Sequence, residues 1–161
     1  MKTTRRDARE RALQALYAYE LSGDSAEHVI KTQLRPHFER GDKLFRFAEK
    51  LFLRTLAYRD EFDAIVEGHT QNWDLHRIAL LDRLVLRLAM TEFLFFDDIP
   101  TKVTINEAIE VAKDFSTPRS GQFVNGVLDA VLAQMVDEGR ITKKGRGLID
   151  QKAGKKFAGG N

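Results

Sequence analysis

The stretch Asp74–Phe96, DLHRIALLDRLVLRLAMTEFLFF, constrains the fold of this chain more than any other. Apolar residues at Leu75, Ile78, Ala79, Leu81, Val85, Leu88, Ala89 and Phe93 follow helical spacing. Leu80, Leu84, Leu86, Met90, Leu94, Phe95 and Phe96 then fill most of the remaining circumference. A helix that is apolar nearly all round has protein on most of its sides. Strands usually run to about 5–6 residues, far short of this segment. Charges at Arg77, Asp82, Arg83, Arg87 and Glu92 would each be costly in lipid, which argues against a transmembrane span. The pattern therefore predicts the central helix of a soluble all-α domain, entered through a short turn at Asp74–Ala79. Asp82, Arg83 and Arg87 are expected on whichever narrow side the rest of the chain leaves uncovered.

A chain of 161 residues, 43% apolar with 11 Phe, can bury one sizeable core and fold as one domain. The absence of Cys removes disulfides, thiolate metal sites and Cys nucleophiles together, and fits a reducing cytoplasm. The start, MKTTRRDARERALQAL, has no continuous apolar run and no small-residue cleavage site, so no signal peptide is expected. His28, His37, His69 and His76 form no metal-type i,i+4 pair, and neither a metal nor another cofactor is expected. The net charge is only +2, but the first residues and the last two dozen are basic and the body between them is acidic. Basic ends on an acidic body point to a polyanion met at particular places rather than by a uniform coat.

Thr4 is placed to cap a first helix running to about Leu21, with Asp7 in a capping-box position. Arg6–Glu10 and Asp7–Arg11 are favourable i,i+4 pairs. Arg5 and Arg9 have no such acidic mate and sit where the helix dipole disfavours cations, which hints at an external anion. After Ser22-Gly23, Asp24 is expected to cap a short helix that ends at Arg35-Pro36. From Asp42 to Thr70 a single straight helix would span roughly 42 Å, so a break near Arg59–Asp60 is expected. Trp73 is expected to seal a helix junction. Asp97-Asp98 reads as a loop, and Thr104-Ile105-Asn106-Glu107 as a capping box opening an amphipathic helix through Phe115. Pro118 is expected at the first position of the last core helix, and Gly126 within it at a close helix–helix approach. Beyond Gly139 the periodicity is lost, which sets residues 1–137 as a helical domain and 138–161 as a flexible, disordered basic tail.

Two stretches go beyond composition: RRDARERALQALYAYELS, Arg5 to Ser22, and DRLVLRLAMTEFLFFDDIPTKVTINEAIEVAKDFSTPRSGQFVNGVLDAVL, Asp82 to Leu132. ALQALY, the pattern from Leu86 to Glu92, INEAIE and FVNGVLD at this spacing resemble the NusB family of bacterial transcription antitermination factors. The segment 26–71 is the least distinctive part. The resemblance implies about seven helices in two packed helical subdomains, which agrees with the periodicity above. It also implies a non-enzymatic role: pairing with NusE, a small-subunit ribosomal protein, and binding single-stranded boxA RNA in ribosomal RNA leader transcripts. The resulting assembly joins the RNA polymerase antitermination complex. The choice between monomer and homodimer in the absence of NusE stays open.

By the same resemblance, Arg5, Arg6 and Arg9 match a basic motif that contacts phosphates, although Asp7 stands where the family has a basic residue. Lys102 matches a lysine near the RNA path, and Arg119 and Gln122 lie on a loop side also turned to RNA. Asp82, with Tyr17 and Leu21, falls where the family meets NusE, although Tyr17 and Leu21 fit ordinary core positions equally well. The same helical domain also precedes the catalytic part of ribosomal RNA cytosine methyltransferases. Here there is neither room for a cofactor domain nor a Cys to attack cytosine, so that enzyme is rejected. The other alternative is a helical adaptor that binds proteins only.

Overall fold

The computed structural model describes residues 3–70 and 77–149. Seven α-helices lie within them: α1 Arg5–Ser22, α2 Ala26–Val29, α3 Lys43–Ala57, α4 Arg59–His69, α5 Leu80–Phe95, α6 Thr101–Phe115 and α7 Ser120–Asp137. No strand occurs among the described residues. Trp73 and the first half of the turn before α5 fall outside them.

The expected start of α1 is present in full. Thr4 Oγ1 accepts from the Asp7 amide at 3.1 Å, and the Asp7 carboxylate accepts from the Thr4 amide at 2.9 Å. Gly23, at φ 73°, closes the helix with its N–H on the Tyr19 carbonyl, a left-handed cap that glycine adopts without a Cβ penalty. The next helix is capped by Ser25 rather than Asp24, because the Ser25 hydroxyl takes the His28 amide. The chain then continues through a π-helical turn at Ile30–Leu34 and a 3-10 turn at Arg35–His37. The long pattern after Asp42 breaks at Tyr58, one residue ahead of the expected point, and separates α3 from α4.

Two helical subdomains result, α1 to α3 and α4 to α7, with α5 packed against helices of both. The apolar circumference of α5 explains this placement: Leu84, Leu86, Met90 and Phe93 are fully buried beside Leu13, Leu16, Phe52, Phe62 and Leu128. Each such side chain contributes about 1.5–3 kcal/mol relative to exposure. The charged side of α5 is not an uncovered edge. Asp82 and Arg87 are buried, and Arg87 forms a two-pronged pair with Asp63 of α4 at 2.8 and 2.7 Å. Neighbouring helices cover this side as well, and they supply counter-charges to Arg87 and to Glu92.

Three further expectations are corrected. Helix α6 begins a turn early, at Thr101 behind Pro100, so Thr104 is not a cap; its hydroxyl is buried and donates to Glu92 Oε1 at 3.1 Å. Pro118 lies in the turn before α7, which begins at Ser120. Gly126 faces open space, and the close approach occurs at Gly121, where a Cβ would lie 3.0–3.2 Å from Lys113 and Ile109 side-chain atoms. Gly126→Ala is accordingly expected to raise stability by about 0.5–1 kcal/mol, read as an upward shift of the urea midpoint.

Nor is the segment after α7 a free tail from its start. Lys143 is buried, and its ammonium donates to the carbonyls of Glu92 and Phe96 at 2.9 and 2.7 Å, at the C-terminal end of α5. The Lys144 amide donates to the Asp97 carbonyl, and Gly145–Leu148 forms a 3-10 turn against it. A cation on the last carbonyls of a helix meets both their unpaired acceptor capacity and the dipole.

Candidate nucleic-acid interface

The start of α1 meets the C-terminal end of α5 through a graded set of arginine–carboxylate pairs. Arg9 is only 6% exposed and forms a two-pronged bond to Glu92 at 2.9 Å on each arm. Glu107 of α6 lies 4.0 Å from the same guanidinium. Arg6, one turn out, binds Glu107 at 2.8 and 3.1 Å while half its side chain remains in solvent. That guanidinium holds the Glu107 carboxyl below the usual carboxylate range, and Glu107 in turn raises Arg6. Arg5 reaches Asp98 at 3.2 Å, and both side chains are about half exposed. Arg5 and Arg9 have no i,i+4 mate, as expected, but the anions that their position called for lie within the chain, 93 and 83 residues away. Arg9 is buried in an ion pair and does not face solvent, while Arg5 and Arg6 do.

Lys102 is exposed on the first turn of α6, at the same end of α5 as Arg5 and Arg6. Arg119 and Gln122 are exposed at the start of α7, at the opposite end. There Ser120 Oγ donates to Asp82 Oδ2 at 3.2 Å, and Arg77, Asp82, Thr117, Arg119 and Phe123 line a shallow cleft. Gln122 also borders an open groove of about 520 Å³ shared with Gly68, His69, Thr70 and Gly126. The six residues expected at the RNA surface thus form two clusters, separated by about 15 Å of α5 between Asp82 and Glu92.

The three partner-side residues divide as well. Tyr17 and Leu21 are 39% and 63% exposed, and a four-residue spacing puts them on one face of α1; they are not core. Asp82 is 8% exposed, and its Oδ1 has no hydrogen-bond partner among the described residues. Its carboxylate is a buried acceptor at the edge of a cleft, not the solvent-facing charge that its sequence position suggested. The buried Glu92 and the half-buried Asp63 went unassigned from sequence. The available signal was a pair of charges, Arg87 and Glu92, on a helix with almost no polar face. No cluster of His, Asp or Glu suited to a metal is present among the described residues, and no described helix is long and apolar enough to cross a membrane.

Comparison with known proteins agrees with this architecture. The NusB family model matches residues 6–133. A transcription antitermination protein NusB from Salinibacter ruber is 49% identical over 147 residues, covering 91% of this chain and 92% of that protein. One of the same name from Chloroherpeton thalassium is 39% identical and covers 96% of this chain and 74% of its own length. Among solved structures, NusB of T. maritima superposes with a TM-score of 0.75 at 36% identity, covering 83% of this chain and 94% of that one. The NusB chain of a crystal structure of antitermination factors NusB and NusE with double-stranded RNA superposes with a TM-score of 0.72 at 25% identity, covering 81% and 96%. With its helix order, its central α5 and its matched residues, the chain belongs to the NusB family.

Proposed function

We propose that this chain is a cytoplasmic transcription antitermination factor, not an enzyme, that binds boxA RNA of ribosomal RNA leader transcripts as a heterodimer with NusE. In that role it acts within the RNA polymerase antitermination complex. The observation that carries the RNA reading is the arrangement at the start of α1. Arg5 and Arg6 present exposed guanidinium groups from a helix whose next turn is fixed to the core by the buried Arg9–Glu92 pair. Guanidinium groups held in place lose little conformational freedom on meeting a phosphate, and each can engage it through two N–H bonds. Arg9 acts as the anchor that fixes the helix. Lys102 extends the patch, and Arg119 with Gln122 supplies the far cluster.

Tyr17 and Leu21 provide exposed apolar surface for NusE, and the Asp82 oxygen that has no partner among the described residues offers an acceptor to a partner donor at the far end of α5. Asp82→Lys would place a cation in a buried position and test folding instead. Asp82→Asn keeps the shape, and it is expected to weaken NusE binding several-fold while leaving RNA binding by the lone protein unchanged.

The direct test is fluorescence anisotropy of a labelled boxA RNA and a scrambled control, with and without NusE, at two salt concentrations. Wild-type protein is expected to prefer boxA RNA and to bind it more tightly with NusE. Arg5→Ala/Arg6→Ala is expected to bind at least tenfold more weakly and to lower the slope of log K against log salt by about 1.4, two contacts at about 0.7 each for a single strand. Weak binding, equal for both RNAs and indifferent to NusE, would overturn the assignment.

A further inference from the structure

Helix α3 carries a line of cations that none of the site residues above includes. Arg46, Lys50 and Arg54 recur every fourth residue, so they rise along one side of the helix in steps of about 6 Å. All three are exposed, and none forms an ion pair with a described acidic side chain. Cations four apart repel one another and weaken the helix that bears them. By contrast, Arg5, Arg6, Arg9 and Arg87 each have a carboxylate. Glu49 is the acidic residue within this stretch of α3, and it is half-buried.

The line also joins the N-terminal patch physically. Arg5 lies over the Phe47 ring at 5.2 Å, and Phe47 meets Phe96 edge-on at 5.2 Å. Lys50 lies 4.3 Å from the Phe96 ring centroid and donates to the Phe95 carbonyl at 2.7 Å. Arg54 covers the Phe95 ring at 5.1 Å. Cations seated on rings keep their outward N–H groups while losing side-chain freedom. A lysine ammonium has three donors, so one bond to a carbonyl leaves two.

We infer that the outer side of α3, through Arg46, Lys50 and Arg54, is a phosphate track that carries the RNA strand on from Arg5 beyond the sequence element held there. The inference rests on the RNA-binding function proposed above. The chemistry selected is the sugar–phosphate backbone. Lys50 and Arg54 offer phosphate oxygens an ammonium and a guanidinium, contacts that carry no base information, so the track holds RNA without regard to sequence. A groove of about 750 Å³ shared with Arg35, Phe45 and Glu49 opens beside Arg46, at the start of the line.

The test uses two labelled RNAs, the boxA element alone and the same element with ten uridines added at each end. Wild type, Lys50→Gln/Arg54→Gln and Arg5→Ala/Arg6→Ala are titrated with both at several salt concentrations. Circular dichroism checks that each variant is folded. Wild type is expected to bind the extended RNA more tightly. The α3 variant is expected to hold the short RNA within twofold of wild type, to lose about tenfold on the extended one, and to show a salt slope there lower by about 1.4. If the α3 variant matches wild type on the extended RNA, the track is wrong while the N-terminal site stands. If wild type binds neither RNA, both readings fall together. Loss of binding to an acidic protein partner with RNA binding intact would also overturn the track, by giving these cations a protein ligand.

Discussion

Glu92→Ala is expected to destabilise the protein by about 3–5 kcal/mol, because it leaves the buried Arg9 guanidinium without its two-pronged partner and with only Glu107, at 4.0 Å, as a counter-charge. Arg9→Ala should cost a similar amount by stranding Glu92, which also accepts from the Thr104 hydroxyl. In a domain of this size each kcal/mol moves the melting temperature by roughly 2–4 °C, so either single change should lower it by roughly 6–20 °C. The sharper expectation concerns the pair. Arg9→Met/Glu92→Met removes both charges and fills much of the same volume, so it should recover most of the loss and can match wild type. Thermal melts of the two singles and the double check this. A double variant no more stable than its parents would show that the Thr104 and Glu107 contacts, and not the charge balance, dominate the site. The same series bears on RNA: a folded double variant should retain most RNA affinity if Arg9 serves as an anchor, whereas direct phosphate contact by Arg9 predicts a loss comparable to that of Arg5 or Arg6.

The second large effect is expected at Lys143. Lys143→Ala removes two charge-assisted bonds to the Glu92 and Phe96 carbonyls and leaves a gap where the buried stem lay. The combined cost should be about 2–4 kcal/mol. The Lys144 amide, now bonded to the Asp97 carbonyl at 2.9 Å, should exchange with solvent much faster, and limited proteolysis should cut within residues 140–148. Gly147→Ala should act through the same segment by a different cause. A Cβ there would lie 2.0 Å from the Asp97 carbonyl oxygen, a clash with backbone that only displacement of the turn relieves. Wild-type protection at Lys144 in either variant would show that the segment docks without these contacts.

Helix periodicity made the architecture legible wherever one residue's neighbours decide its conformation. Thr4, Gly23, Asp42 and the break at Tyr58 follow from capping chemistry and length, and the central place of α5 from its apolar circumference. What could not be read were facts about residues far apart in the chain. Thr104 and Glu107 satisfy the local rule for a capping box, yet Glu92 takes the hydroxyl and Arg6 takes the carboxylate. Gly126 satisfies the rule for close packing, yet the neighbouring helix approaches Gly121. Lys143 sits in a segment with no period at all, and its burial depends on carbonyls 47 and 51 residues earlier. In the candidate site, the family resemblance located the helices that carry the cations. It could not tell Arg9, turned inward to Glu92, from Arg5 and Arg6, turned out, because all three are arginines on the same two turns.

The convergence on Glu92 also orders events in time on the ribosome. The arginines of α1 emerge well before the carboxylate that anchors their helix, which is made 83 residues after Arg9. The lysine that caps the same turn of α5 follows 51 residues later still. Contacts this distant in sequence close late, after the chain between them has been synthesised and collapsed. A nascent chain that stops short of α5 therefore has the cations of the N-terminal patch without their fixed geometry. Only once α5 and the segment around Lys143 have been made can the protein hold the start of α1 in place.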